Sequence, residues 1–147
     1  MSNTPKIIPE EINLFHIDIL EQQIGQPKVK LYIDVAHTVM HNLKEEKVKL
    51  NLKINLETCK GDNKKCPFAH FDIDFHYHIK NLENFYTHND NQQPTFNALL
   101  IVTLLGISFS TARGIIYEKL TANNIKNIIL PVVSPQKMLI KTNNIHR

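Results

Sequence analysis

The stretch Phe96–Leu120 reads FNALLIVTLLGISFSTARGIIYEKL, and no charged residue lies between Asp90 and Arg113. Its apolar residues recur at helical spacing, which predicts one long helix. The most apolar part, Ala98–Ala112, covers about fifteen residues, fewer than the roughly 20 that a bilayer span needs. We therefore expect a buried helix and no membrane insertion.

Three small residues, Gly106, Ser110 and Gly114, follow one another at intervals of four along this helix. Glycine in a helix interior costs about 1 kcal/mol relative to alanine, so two glycines need a structural reason. One reason is close approach of a helix from another subunit. The other is tight packing on the chain's own sheet. We expect an oligomer interface here, and the intrachain alternative stays open.

Four segments that alternate between apolar and polar residues precede the helix, and a period of two predicts strands. They are Ile12–Glu21, a segment that begins at Lys28, Lys47–Leu56 and His70–Lys80. In the first, the alternation places Phe15, Ile17 and Ile19 on one face. Short turns between consecutive strands predict an antiparallel meander. The expected fold is α+β, with a four-stranded meander sheet covered on one face by the long C-terminal helix.

The length of 147 residues fits one domain. We expect a flexible lead over 1–11, a single domain over 12–141 and a short tail over 142–147. The first residues are polar and contain no apolar signal-peptide core, so a cytoplasmic location is the expectation. The net charge is +3, but only two of the seventeen basic residues are arginines. This spread of lysines among acids does not predict nucleic-acid binding.

Few residues suggest chemistry, and the sequence does not predict an enzyme or a cofactor. His76 and His78 share the polar face of the fourth strand, where two imidazoles could bind zinc, but a solvated strand face gives the same pattern. A metal site is therefore not expected. Six residues separate Cys59 from Cys66, more than the two to four of most zinc motifs, so we expect free thiols. Glycine-rich phosphate loops and nucleophile elbows are absent from the sequence.

Two segments near the C-terminus resemble the SecB protein-export chaperone family. Residues 107–116, ISFSTARGII, are similar to an aliphatic-aromatic-x-x-Ala-Arg run in the family's long helix. Residues 128–139, IILPVVSPQKML, resemble its apolar-Pro-x-x-x-x-x-Leu segment after that helix. Lys30–Asp34, KLYID, is similar to its second strand. The order of elements agrees over about residues 12–141.

The resemblance implies a homotetramer, a dimer of dimers with helices packed between two sheet layers. It implies a holdase that binds unfolded or nascent polypeptides without ATP, as in protein export. Its divergent members serve as dedicated chaperones of one partner, such as an antitoxin. The client-binding candidates are apolar residues of the first strand, the fourth strand and the link after it, with ordinary core packing as the alternative for each. They are Phe15, Phe68, Phe71, Leu82, Phe85 and Tyr86.

One feature departs from the family's pattern. The family docks on the translocation motor through acidic residues of its sheet. The polar strand faces here carry lysines instead. They are Lys28, Lys30, Lys47, Lys49 and Lys53. This difference makes docking on the motor doubtful, whereas client binding depends on an apolar groove and is less affected.

Overall fold

The structure, a computed structural model, describes residues 5–24, 31–59, 65–125, 128–131 and 134–137. Four long strands precede one long helix: β1 (Ile12–Ile24), β2 (Leu31–Asn42), β3 (Lys47–Cys59), β4 (Lys65–Ile79) and α1 (Ala98–Ala122). Two three-residue strands, β5 (Tyr86–His88) and β6 (Pro94–Phe96), form a small hairpin between β4 and α1. Short 3-10 turns cover Pro9–Glu11 and Leu82–Phe85.

The four long strands form one antiparallel sheet in the order β1-β4-β3-β2. The expected fold class, a four-stranded antiparallel sheet with one long C-terminal helix, is therefore confirmed. The meander holds from β2 to β4, but β1 pairs with β4 and not with β2. This is the Greek-key order. Alternation cannot reveal it, because β1 buries the same face at either edge of the sheet.

The core lies between the inner face of the sheet and α1. Five alternate residues of β3 and five of β4 point inward and are at most 1% exposed. They are Val48, Leu50, Leu52, Ile54 and Leu56 on β3, and Phe71, Ile73, Phe75, Tyr77 and Ile79 on β4. The alternation of apolar and polar residues weakens after Val35, but the chain continues there as a strand. His37 is buried opposite Leu52. β2 therefore runs on to Asn42 without a break.

Helix α1 begins and ends at asparagines. The Asn97 side chain accepts a hydrogen bond from the Leu99 backbone N–H at 2.8 Å. At the other end Asn123 is the C-cap, and Asn124 has a left-handed φ of 62°. By length and composition α1 could cross a membrane. Its buried residues recur along one face and pack on the sheet, which is the arrangement of a core helix.

The segment after the helix packs back onto it. Arg113 donates from Nε to the Leu130 carbonyl at 2.9 Å. Leu130 is buried, whereas its neighbour Ile129 is 67% exposed. Residues 135–137 form a helical turn, and 138–141 lie outside the described residues. The side chains of Cys59 and Cys66, expected as free thiols, also lie outside them.

Candidate functional site

The helix is too narrow to cover the whole sheet. With side chains an α-helix is about 10–12 Å wide. Four strands spaced by about 4.8 Å span roughly 15–19 Å. The inward side chains of the two edge strands are consequently only partly buried, in contrast to those of β3 and β4. They include Ile12, Leu14, Ile17 and Ile24 on β1, and Ile33, Val35 and Val39 on β2.

These residues form an apolar strip beside the helix on each edge strand, the β1 strip and the β2 strip. Ile19, which faces inward opposite Ile73, is still 41% exposed and extends the β1 strip. Within the described sheet, β1 and β2 each have one partner strand. Each outer edge therefore presents backbone N–H and C=O groups that an extended peptide could pair with.

Two bulges alter the face assignment of β1. The register shifts between Leu14 and His16, and again between Ile19 and Glu21. Because of the first shift, Phe15 lies on the outer face, with its ring 6.0 Å from that of His76 and the Lys47 Nζ 5.4 Å from its centroid. The alternation over Ile12–Glu21 predicted Phe15 on the side of Ile17, which is wrong. A bulge adds one residue and so inverts the alternation locally.

Phe15 and Met40, which are 46% and 56% exposed, line an open outer-face pocket of about 240 Å³. Its polar lining includes Lys47, Lys49 and the ring of His76. The pocket combines two apolar anchors with a polar rim, which suits an apolar side chain of a peptide.

A cluster of polar residues lies across β1 and β4 beside this pocket. His16 and His76 are directly opposite in the register. Asp18 Oδ1 lies 2.6 Å from His16 Nε2, and its Oδ2 lies 2.7 Å from His76 Nε2. The hydrogen bond from His76 is the main reason why the pKa of the Asp18 carboxyl is lowered from its ordinary value of 3.8. The sequence grouped His76 with His78; among the described residues, the structure instead groups it with His16 and Asp18.

The six client-binding candidates divide by burial. Phe68, Phe71, Leu82 and Phe85 are at most 7% exposed and belong to the core, so in the single chain a client cannot reach them. Phe15 is exposed. Tyr86 is half-buried, with its ring 6.0 Å from that of Phe96, and lines a second pocket of about 330 Å³. The strips on β1 and β2 were missed, because half-covered and fully covered strands have the same alternation.

The small residues of α1 lie away from the sheet. Ser110 and Gly114 are exposed, and Gly106 is half-buried. A methyl group at Gly106 would lie 3.5 Å from Pro135 Cγ, whereas at Gly114 it would meet nothing within 4 Å. A distance of 3.5 Å is an ordinary contact, so packing among the described residues requires glycine at neither position, and Gly114 is open to another molecule.

This chain is similar to known proteins in structure, and no similarity to them was found in sequence. No family model matches this sequence, and no curated protein sequence matches it. Nine chains of solved structures do match. One of them is the Mycobacterium tuberculosis Rv1957 SecB-like chaperone, in complex with a ChAD peptide from the Rv1956 HigA1 antitoxin. The match has a TM-score of 0.57 and 13% sequence identity, and it covers 85% of this chain and 89% of that chain.

This chain has a SecB-like fold. At 13% identity the likeness concerns the fold and does not extend to individual residues. The protein that shares the fold is a SecB-like chaperone.

Proposed function

We propose that this protein is an ATP-independent holdase chaperone that binds unfolded or nascent polypeptides. The observation that carries the proposal is the SecB-like fold, shared with a chaperone solved in complex with a peptide. The two apolar strips beside open strand edges support it. An unfolded segment has unpaired backbone groups and exposed apolar side chains. A half-covered edge strand can form hydrogen bonds with the backbone groups and cover the apolar side chains.

In this proposal the strips and Phe15 hold the client, and the four buried aromatic and aliphatic candidates keep the sheet rigid. Tyr86 contributes through its own pocket. Apolar residues such as Ile19 are then exposed because they bind the client.

The proposal is tested by diluting a denatured model client into buffer without ATP and following light scattering. Several-fold excess of this protein should suppress the rise in scattering. Ile19→Ser, which removes apolar surface from the β1 strip, should weaken the suppression. Ile129→Ser is the matched control, since Ile129 is exposed at 67% on the segment after the helix. Aggregation that proceeds unchanged at this excess would contradict the proposal.

A second candidate function is service to a single partner, such as an antitoxin. It is favoured by the antitoxin peptide in the complex of the similar structure. A general holdase binds many unrelated unfolded peptides with similar affinity, whereas a dedicated chaperone prefers one sequence. Affinities for a panel of unrelated extended peptides, measured by fluorescence anisotropy, separate the two. The dedicated role requires weak binding to every peptide of the panel. It also requires that a pulldown from the native host recovers one small protein and that this protein binds tightly.

We also propose that the protein acts in the cytoplasm as a homotetramer, a dimer of dimers. Gly106, Ser110 and Gly114 would then lie where helices of different subunits approach. We propose a role in protein export as well, and the lysine-rich strand faces argue against docking on the translocation motor. Sedimentation velocity of the full chain measures the assembly directly.

A further inference from the structure

We propose that His16, Asp18 and His76 form a binding site for a divalent transition metal of the zinc class. The site does not depend on the holdase proposal, because its donors are three polar side chains, although His76 also lines the Phe15 pocket. Its ligand atoms are two imidazole nitrogens and one carboxylate oxygen, and they lie within 4.8 Å of one another. Two histidines and one carboxylate are an established donor set for zinc and similar ions.

The distances between the donors suit an ion at their centre. The two Nε2 atoms lie 2.6 and 2.7 Å from the oxygens of Asp18, so one carboxylate already lies between both rings. Bonds of about 2.0 Å to a tetrahedral zinc would place the donor atoms roughly 3.3 Å apart. The two nitrogen–oxygen pairs therefore need to lengthen by only about 0.6 Å, and the two Nε2 atoms already lie within 4.8 Å of each other.

The backbone holds the donors in place. His16 and Asp18 lie on β1, and His76 lies directly opposite His16 on β4. Without the bulge at Leu14/His16, the alternation of β1 would turn His16 towards the other face. The bulge thus places His16 on the face of His76, ordinary alternation keeps Asp18 on that face two residues later, and strand pairing fixes the separation of β1 and β4.

Charge and access also favour a cation. Two neutral imidazoles and one carboxylate offer a single negative charge to a doubly charged ion. The nearest lysines already have acidic partners: Lys49 lies 3.7 Å from Asp74, and Lys47 lies 3.2 Å from Glu45. The side chains of His16, Asp18 and His76 are 56%, 40% and 25% exposed, which leaves room for water as the remaining ligand and for entry of the ion.

A bound ion would join edge strand β1 to β4. The site is tested on the full, untagged chain in a Cys59→Ser, Cys66→Ser background, so that thiols cannot bind zinc. After removal of metal by a chelator and then of the chelator, zinc binding is followed by titration calorimetry. Cobalt(II) is added separately as a spectroscopic probe. We expect one zinc ion per chain, visible absorption typical of tetrahedral cobalt, and a melting temperature that rises with zinc.

Single changes at the donors should each lower the zinc affinity at least tenfold and remove the zinc-dependent rise in melting temperature. They are His16→Gln, Asp18→Asn and His76→Gln. His78→Gln is the matched control on the same strand and face, and it should bind zinc as the background protein does. Circular dichroism verifies that each variant is folded. Zinc binding weaker than about 1 mM, or equal binding by His76→Gln and the background protein, would overturn the site.

Discussion

At the scale of single residues, Tyr77 is a polar side chain that the core has to accommodate. Its hydroxyl lies 2.7 Å from Ser108 Oγ and donates to the Leu104 carbonyl at 3.4 Å. Burial raises the pKa of Tyr77 to about 12, although the hydrogen bond with Ser108 acts in the opposite direction. The phenol therefore links the fourth strand to the helix in its neutral form.

This raised pKa predicts a loss of stability at alkaline pH. In the unfolded chain Tyr77 ionises near its ordinary value of 10.0, and in the folded chain only near 12. The contribution of the neutral phenol is present below pH 10 and is lost as the pH rises through 12. Between pH 9 and 11 the protein should lose about 1 kcal/mol of unfolding free energy that Tyr77→Phe does not lose. Urea titrations of both proteins measure this difference, and identical pH dependence would contradict it.

Phe15 and Phe71 provide a second comparison between single residues. Phe71→Ala should lower the unfolding free energy by about 3–5 kcal/mol, because it leaves a cavity beneath the helix. Phe15→Ser removes a ring that is 46% exposed, so its effect should be within about 0.5 kcal/mol. Urea unfolding gives these values.

The same two variants separate the client surface from the core. Phe15→Ser should reduce suppression of client aggregation although the chain stays folded. If that variant holds clients as well as the parent, Phe15 is not part of the client surface.

At the scale of elements, the start of α1 depends on Asn97. Its side chain caps the Leu99 N–H, and its own N–H donates to the Phe85 carbonyl at 2.7 Å. Asn97→Ala should cost about 1 kcal/mol of stability. Asn97→Asp keeps an acceptor and adds a negative charge at the helix N-terminus, so it should retain the parent stability. Thermal unfolding of the three proteins tests this ranking, and a stable alanine variant would show that the cap is dispensable.

Strand β1 shows where the alternation of apolar and polar residues fails to predict the face of the sheet on which a side chain lies. A strict period of two assigns every residue to one of two faces, and it did so correctly for β3 and β4. The extra residue at the first bulge brought Phe15 to the outer face beside His76. A bulge arises from the fit between two strands, so the sequence of one strand does not reveal it.

At the scale of the whole molecule, a substitution at Gly114 tests the proposed homotetramer. In the single chain a methyl group there would meet open space, so Gly114→Ala should stabilise the helix by about 0.5–1 kcal/mol. If helices of two subunits touch at this residue, the same methyl group would separate them and weaken the oligomer.

We therefore expect Gly114→Ala to raise the stability of the chain and to lower the sedimentation coefficient at a fixed low concentration. Lys119→Ala, about 140° around the helix from Gly114, is the control and should leave assembly unchanged. An assembly that Gly114→Ala leaves equally tight would remove Gly114 from the interface.

The sequence by itself determined the elements of this protein. Alternation in β3 and β4, and helical spacing from Ala98 onward, arise within one segment, because burial of one face imposes its period on that segment. The fold class follows, since a sheet with one apolar face needs a cover and the chain has one long apolar helix. The end of the helix at Asn123 is likewise a local feature, because capping depends on neighbouring residues.

Only the tertiary structure decided how these elements meet. The pairing of β1 with β4, the meeting of His16, Asp18 and His76, and the burial of Leu82 depend on contacts between residues distant in sequence. The half-covered edge strands have the same cause, because exposure there depends on how wide a sheet one helix has to cover. An apolar residue has the same sequence pattern whether a helix covers it fully or only in part, and the fold places these two groups on different strands.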